Sequence, residues 1–399
     1  MQVHALREGR VAGRAALCQQ VHKLAAIAVV AAVILSIAGA NRTVADEDNF
    51  LIPAPARTDM VFDAIAKVLY VACGDSVLRY DLVKRRFLSP YKLGGELLAM
   101  DLSLDGPTLL VTDRASAREP IESNSGTRRI WFHQIRWEAD EDEEDAEVRL
   151  TIGKVSFPGV PGETNTHAVA FGSGGCALIT SDGTATGALP LRKYDPTTGK
   201  TTIIMDRLRP GTMVSAIGDG ALIPFAEVSD NRGSWGYYHV GEKSVRQASS
   251  KNDVQAMTSA FNVGIAGNGG GRWNWPIQFA IPTSRGLLIY DENFNRLHEF
   301  PILAGSEESP IGVAYPPVGS KFPSRRLYTS WSNTSYIGVW DTKTFRQLGR
   351  IPVGEKFRGA EKGHCVDGRI RMHVFWLFVT VEGGVRAIRL GSKLGWTTP

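Results

Sequence analysis

This sequence is poor in the features that define several common protein classes. Its 399 residues contain only 4 cysteines, Cys18, Cys73, Cys176 and Cys365. None belongs to a Cys-x-x-Cys pair, which excludes a zinc-ribbon site. Cys18 precedes an apolar segment, and the cysteines after it are odd in number, which argues against a disulfide scaffold. We therefore expect Cys73 and Cys176 to be buried structural thiols.

Catalytic signatures are also scarce. The chain has no Gly-x-Ser-x-Gly elbow, which argues against an α/β-hydrolase, and His298-Glu299 is not followed by the second histidine of a zinc protease. The glycine-rich run Gly267–Arg272 lacks both the lysine of a phosphate-binding loop and Gly-x-Gly-x-x-Gly spacing. It predicts instead a loop whose Arg272, Trp273 and Trp275 grip a ligand by charge and stacking, with packing in the core as the alternative role of the tryptophans.

An excess of one sign of charge is nearly absent. The chain has 45 Lys and Arg against 41 Asp and Glu, a formal net charge of +4. Residues 1–40 account for +3 of this, because they hold Arg7, Arg10, Arg14 and Lys23 against Glu8. The remaining charge of about +1 is too small to predict a nucleic-acid partner.

One dense charge run does occur, at Glu138–Asp145, within an insertion at 138–147. It separates two strand-like stretches, Ile130–Trp137 and Val148–Val155, and so predicts the solvated tip of a long hairpin. The spacing fails the calcium-loop pattern of an EF-hand, because Asp145 and Thr151 stand where Gly and Glu are required. Weak binding of a cation or of a basic partner is the alternative.

A long hydrophobic run occurs once. Residues 24–40 have Ser36 as their single polar side chain, follow four basic residues and end in Ala38-Gly39-Ala40. This pattern is typical of a secretory signal cleaved after Ala40. The length also reaches the lower limit for a membrane-spanning helix, so an uncleaved anchor remains an alternative, as does a buried helix. The two leading alternatives predict an extracytoplasmic protein that is secreted, periplasmic or tethered to the membrane through residues 24–40.

A strand–turn–strand phrase repeats along the rest of the chain. Its third copy is the clearest, with HAVAF, CALIT, LRKYD and KTTII separated by Gly-Ser-Gly-Gly, Asp-Gly and Thr-Thr-Gly, which is the pattern of short strands joined by tight turns. Seven copies have an apolar strand, which is followed in six of them by a strand with aromatic residues, often Tyr-Asp or Trp-Asp, and in the seventh by VRAIRL. The apolar strands are Leu69–Cys73, Leu109–Asp113, Cys176–Asp182, Ala221–Val228, Pro276–Thr283, Leu327–Trp331 and Leu377–Val381.

The spacing of the copies predicts the fold. They start roughly 45 residues apart, the period of four-stranded propeller blades. We therefore predict an all-β, seven-bladed β-propeller of antiparallel blades, preceded by an N-terminal hydrophobic helix. The seventh copy lacks an outer strand, and Phe50–Ala56, whose prolines suit a sheet edge, is predicted to close the ring. The predicted domains are residues 1–40 as signal or anchor, 41–55 as linker and possible closing strand, and 56–399 as propeller.

The third copy resembles the repeats of NHL, YVTN and streptogramin-lyase-like propellers, and the Trp-Asp turns are WD-repeat-like. The matching residues are His167 before the inner strand, the turn Gly172–Gly175, the strand Ala177–Thr180 and the turn Tyr194–Gly199. The resemblance covers one copy well and the others loosely. In the lyase-like branch a channel histidine acts with a divalent metal, which makes His167 the candidate here. His364 precedes the inner strand of the seventh copy.

Two functions from different classes follow. The first, which we favour, is a binding or scaffold module for a protein, glycan or small molecule, with no metal, cofactor or nucleic acid. The second is a channel-based enzyme, either a metal-assisted lyase or lactonase or a quinone-dependent dehydrogenase. Its candidate residues are His167, His364, Asp113, Glu361, Arg285 and Arg272. Convergence of four or more of these side chains in one polar funnel would favour the enzyme.

Overall fold

The computed structural model describes most of the chain after Glu47. The described residues are 48–121, 127–138, 149–184, 188–227, 233–248, 266–268, 277–283, 286–302, 307–317, 325–358, 367–373 and 375–390. No helix among these residues is long and apolar enough to cross a membrane. The segment 24–40 lies outside them, so the signal, the anchor and the domain boundaries derived from it remain predictions.

The described chain is all-β, with two short 3-10 turns as its helical elements. Its strands form seven four-stranded antiparallel sheets, which confirms the predicted seven-bladed propeller. The first strand of the chain, β1 (Asn49–Pro53), belongs to the last blade. The strands of the first three blades are, in chain order, β2 (Arg57–Asp63), β3 (Val68–Cys73), β4 (Ser76–Asp81) and β5 (Arg86–Lys92), then β6 (Leu97–Leu102), β7 (Thr108–Asp113), β8 (Arg129–Glu138) and β9 (Arg149–Pro158), then β10 (Glu163–Phe171), β11 (Ala177–Gly183), β12 (Leu189–Asp195) and β13 (Lys200–Leu208).

Blades four to seven repeat the same order from the axis outward. Their strands are β14 (Met213–Val214), β15 (Leu222–Ala226), β16 (Trp235–His239) and β17 (Ser244–Gln247), then β18 (Ala266–Asn268), β19 (Gln278–Thr283), β20 (Gly286–Asp291) and β21 (Arg296–Pro301), then β22 (Pro310–Ala314), β23 (Arg326–Trp331), β24 (Tyr336–Asp341) and β25 (Gln347–Pro352), then β26 (Ile370–His373), β27 (Trp376–Val381) and β28 (Gly384–Arg389).

The core lies between the faces of neighbouring blades. At the seam between blades seven and one, Ile52, Leu69 and Phe378 are fully buried in one cluster. The second strands are nearly continuous apolar runs because both of their faces are covered, whereas the outer strand β5 is mostly exposed. The first strands pack beside one another around the axis, for example β2 against β6 and β26.

The ring closes through β1, which overlaps the predicted closing strand Phe50–Ala56 but begins and ends earlier. Its residues Asn49–Pro53 pair antiparallel with β28, from Asn49↔Ile388 to Pro53↔Gly384. The last blade therefore takes three strands from the C-terminal end and its outermost strand from the N-terminal end. The predicted long hairpin is also present as strands, because β8 and β9 pair from Arg129↔Pro158 to Glu138↔Arg149. The predicted acidic tip, 139–147, lies outside the described residues.

The Tyr-Asp and Trp-Asp phrases are the turns between the third and fourth strands. In four blades an aspartate carboxylate accepts backbone N–H groups two to four residues further on, and the turn ends in a residue with positive φ. The aspartates are Asp81, Asp195, Asp291 and Asp341, and the positive-φ residues are Arg85, Gly199, Phe294 and Phe345.

Blade four varies this turn. The Nδ1 of His239 accepts from the N–H of Glu242 at 3.1 Å, and Lys243 takes the positive φ. The repeat therefore marks a shared turn chemistry, in which an acceptor side chain satisfies backbone donors that the hairpin leaves unpaired.

Candidate functional site

The structure describes two of the predicted site residues, His167 and Asp113. The others lie outside the described residues: His364, Glu361, Arg285, Arg272, Trp273 and Trp275. The proposed convergence of these side chains in one funnel therefore stays a prediction. The two described residues are near in space, since the N–H of Asp113 donates to the hydroxyl of Thr166 at 3.2 Å. Their side chains have different surroundings.

Asp113 ends β7 and is a structural acceptor inside blade two. One carboxylate oxygen accepts from the N–H groups of Glu96 and Ala115 at 2.9 and 2.7 Å. The other lies 2.8 Å from Nε2 of His133 and 3.3 Å from Nε1 of Trp131. Burial disfavours the ionised form, but these hydrogen bonds hold the pKa of Asp113 below its usual value. A carboxylate with both oxygens engaged in this way has a structural explanation that needs no ligand.

His167 lies on the first strand of blade three, close to the axis. Its imidazole is surrounded by protein yet keeps some solvent-accessible surface, and its buried Nδ1 has no hydrogen-bond partner among the described residues. Burial lowers its pKa, Asp182 opposes that effect, and Arg114 and Arg369 add to it. The ring is therefore neutral near pH 7 and offers an acceptor nitrogen or an N–H donor.

A cavity of about 240 Å³ lies on the axis, between the first strands of the blades. Its wall is built by the first strands of blades one, two, three, four, six and seven and by the segments that follow β14 and β22. Phe171, Met213, Ile217 and Met372 supply apolar surface, and Tyr315 adds a phenol. Among the described lining residues, Ala168 takes part but His167 does not.

Charged residues from opposite ends of the chain meet in this cavity. Arg369 forms an ion pair with Oδ1 of Asp59, and Nη2 of Arg371 lies 3.7 Å from Oδ2 of the same carboxylate. Asp59 also accepts the N–H of Met100 at 3.0 Å, which connects β2 to β6. Asp59 is 1% exposed, and its charge is balanced where it lies.

Asp101 on β6 repeats the bridge one blade further on. Its Oδ2 accepts the N–H of Phe171 on β10 at 2.7 Å. Burial raises the pKa of Asp101 to about 6, against the lowering effects of Arg371 and of the Phe171 N–H, and Asp59 raises it further. Asp101 therefore exchanges a proton close to physiological pH.

Arg371 and Tyr315 differ in how they line the cavity. The hydroxyl of Tyr315 is buried without a hydrogen-bond partner among the residues that the structure describes, and its ring packs in the apolar cluster of blades five and six. Burial raises the pKa of Tyr315, so the phenol stays protonated. The side chain of Arg371 is 31% exposed, so its guanidinium is the group of the two that a ligand in the cavity can meet.

Sequence reasoning missed this charged set, Asp59, Asp101, Arg369, Arg371 and Tyr315. A signal was present for most of its members, because they interrupt the apolar pattern of the first strands in TDMVFD, LLAMDL and RIRMH. A charge inside a strand that faces the axis requires a partner across the ring. In the residues described, no group of three His, Cys, Asp or Glu side chains is placed to hold a metal ion.

Comparison with known proteins bears on the fold. No protein-family model matches the chain, and no curated protein sequence does. Solved structures are similar, with TM-scores of 0.56 for "Kuenenia stuttgartiensis Hydrazine Synthase", 0.51 for the Dos1 propeller and 0.52 for the β-propeller domain of Myceliophteria thermophila Cps50 (Swd1).

The three alignments have 12%, 11% and 12% identity and cover 85%, 84% and 86% of this chain, and 97%, 78% and 100% of the respective neighbours. At these identities the likeness extends to the fold alone. The chain is a β-propeller.

Proposed function

We propose that this protein is a binding module that holds a small polar organic molecule in its axial cavity, on an exported or membrane-tethered propeller. One observation carries the proposal, namely a cavity that combines apolar walls with the partly exposed guanidinium of Arg371. Such a combination is typical of ligand sites, where a few polar groups fix the orientation of an otherwise apolar contact. Export rests on the apolar segment 24–40.

The size of the cavity limits the ligand. Its volume of about 240 Å³ lies just below the roughly 300 Å³ at which pockets for drug-sized ligands begin. A molecule of metabolite size fits, whereas a folded protein or a long glycan would have to bind elsewhere on the surface. We therefore favour a small molecule over the other two partner classes for this site.

A thermal-shift screen of the full chain against small organic acids, amides and amines tests the proposal. A ligand present at about 100 times its Kd stabilises the folded state by ~2.7 kcal/mol, which is measurable. Ala216→Phe places a large ring in the cavity wall and should abolish the shift. The matched control is Ala66→Phe, at an exposed turn position outside the described lining, which should keep it. No shift with any compound class would refute the proposal.

The second candidate remains the channel-based enzyme, and His167 favours it. A neutral imidazole with an unpartnered nitrogen near the axis has the properties of a general base or a metal ligand. A hydrolase and lyase screen with added Mg²⁺, Ca²⁺ or quinone tests it, with His167→Ala as the variant. Turnover by the wild-type chain that is lost in the variant would replace binding by catalysis as the leading function.

A further inference from the structure

We infer that the ligand of the axial cavity is a small organic carboxylate, held by the guanidinium of Arg371. This inference rests on the proposed function, since it names the ligand class of the same site. It follows from the charges in the cavity, from the donors left over, and from the apolar surface around them.

The charges leave Arg371 as the uncompensated group. Asp59 and Arg369 form a close ion pair, and the remaining oxygen of Asp59 already accepts the Met100 N–H. The contact from Arg371 to Asp59, at 3.7 Å, is beyond hydrogen-bond distance. Asp101 is close enough to Arg371 and Asp59 for both charges to act on it, and with its raised pKa it is neutral in mildly acidic solution. The cavity then carries one net positive charge.

Arg371 supplies hydrogen-bond donors to the cavity. Its side chain is 31% exposed, and its planar guanidinium fork matches the geometry of a carboxylate. An ammonium ligand would bring further donors to a place that already holds two guanidinium groups, so the cavity disfavours cations.

The rest of the wall suits a short hydrocarbon chain. Phe171, Met213, Ile217 and Met372 are apolar, and methionine adapts to ligands of different shape. Each CH₂ group transferred from water to such a wall strengthens binding by about fourfold. A short-chain monocarboxylate therefore fits better than inorganic phosphate, which has no apolar part.

Isothermal titration of the full chain at about pH 5.5, where Asp101 is mostly protonated, tests the inference. The probes are butyrate, butanamide, butylamine and inorganic phosphate, which separate charge and apolar content at similar size. We expect butyrate to bind at least about tenfold more tightly than the other three, the effect of one charged hydrogen bond.

The variants test the named residue. Arg371→Gln should weaken butyrate binding by about tenfold or more. The matched control is Arg350→Gln, on the outer strand β25, which should leave the affinity unchanged. Unchanged binding in Arg371→Gln would overturn the inference, since it would show that Arg371 has a purely structural role.

The outcomes separate the two proposals. If no probe binds the wild-type chain, and the thermal-shift screen is also negative, both proposals fail. If butanamide or butylamine binds as tightly as butyrate, the binding module stands and the carboxylate inference is wrong. If phosphate binds as tightly as butyrate, the site recognises anions in general, and the inference of a carboxylate with an apolar chain is again wrong.

Discussion

Asp101 should make the free energy of unfolding depend on pH, with a contribution that falls as the pH rises through the acidic range. Burial raises the pKa of Asp101 from 3.8 to about 6, so the folded protein holds this proton more tightly than the unfolded chain does. The corresponding stabilisation is fully present below about pH 4 and is lost as the pH rises to about 6. A shift of about two units is worth roughly 3 kcal/mol.

Asp101→Asn should remove this dependence. The amide oxygen of the variant keeps an acceptor for the Phe171 N–H, which Asp101 accepts at 2.7 Å, while its charge is fixed at zero. Relative to wild type, the variant should therefore be more stable by up to roughly 3 kcal/mol at pH 7 and nearly equal in stability at pH 4. Urea unfolding monitored by tryptophan fluorescence between about pH 4 and 7.5 measures this difference.

The comparison with wild type isolates Asp101, because the other carboxylates titrate in both chains. Asp105→Asn, at an exposed position in the next turn, provides the matched control and should follow wild type at every pH. A stability difference between wild type and Asp101→Asn that stays constant over this range would refute the reasoning. It would show that the carboxyl group is solvated in the folded protein.

Three further substitutions test the packing, measured as urea midpoints. Ile52→Ala, at a fully buried position of the closing strand, should cost about 2–5 kcal/mol. Leu51→Ala, on the exposed face of the same strand, should stay within about 0.5 kcal/mol, and equal losses would contradict closure through this strand. Glu163→Gln should cost about 3–5 kcal/mol because it leaves the buried Arg192 without its ion-pair partner, and a neutral result would show that this pair contributes nothing. Asp341→Ala should cost about 1 kcal/mol by freeing two turn N–H groups, and an unchanged midpoint would contradict the role given to the repeated aspartates.

The sequence was sufficient for the fold because the features that specify it are local. Each Tyr-Asp or Trp-Asp turn is a contact among about five consecutive residues, as at Asp195 and Gly199, so it leaves a readable trace in every copy where it occurs. The shortage of strands after Val385–Leu390 was equally visible. The two prolines of Phe50–Ala56 marked an edge, and β1 takes that position against β28.

The site was not accessible in the same way. Asp113 was chosen for its residue type and its place at a strand end, but its role depends on Glu96 and His133, which lie 17 and 20 residues away. Asp59 and Arg369 meet although 310 residues separate them. Such a pairing follows from closure of the ring, which sequence periodicity predicts as a shape without fixing which side chains face each other across the axis.

Closure of the ring and formation of the candidate site depend on the same pair of blades. On the outside, the β1–β28 ladder ties the N-terminal strand to blade seven. On the inside, Arg57 donates to the carbonyl of Glu382 and pairs with Asp367, and Asp59 pairs with Arg369. Buried ion pairs add little net stability compared with apolar packing, but they are strongly disfavoured when one partner is missing. They therefore select the one arrangement in which the first and seventh blades are in register, and that arrangement brings Arg371 to the cavity. The residues that close the propeller thus also bring charge to the cavity, which explains why Asp59, Arg369 and Arg371 meet at the seam of the first and seventh blades.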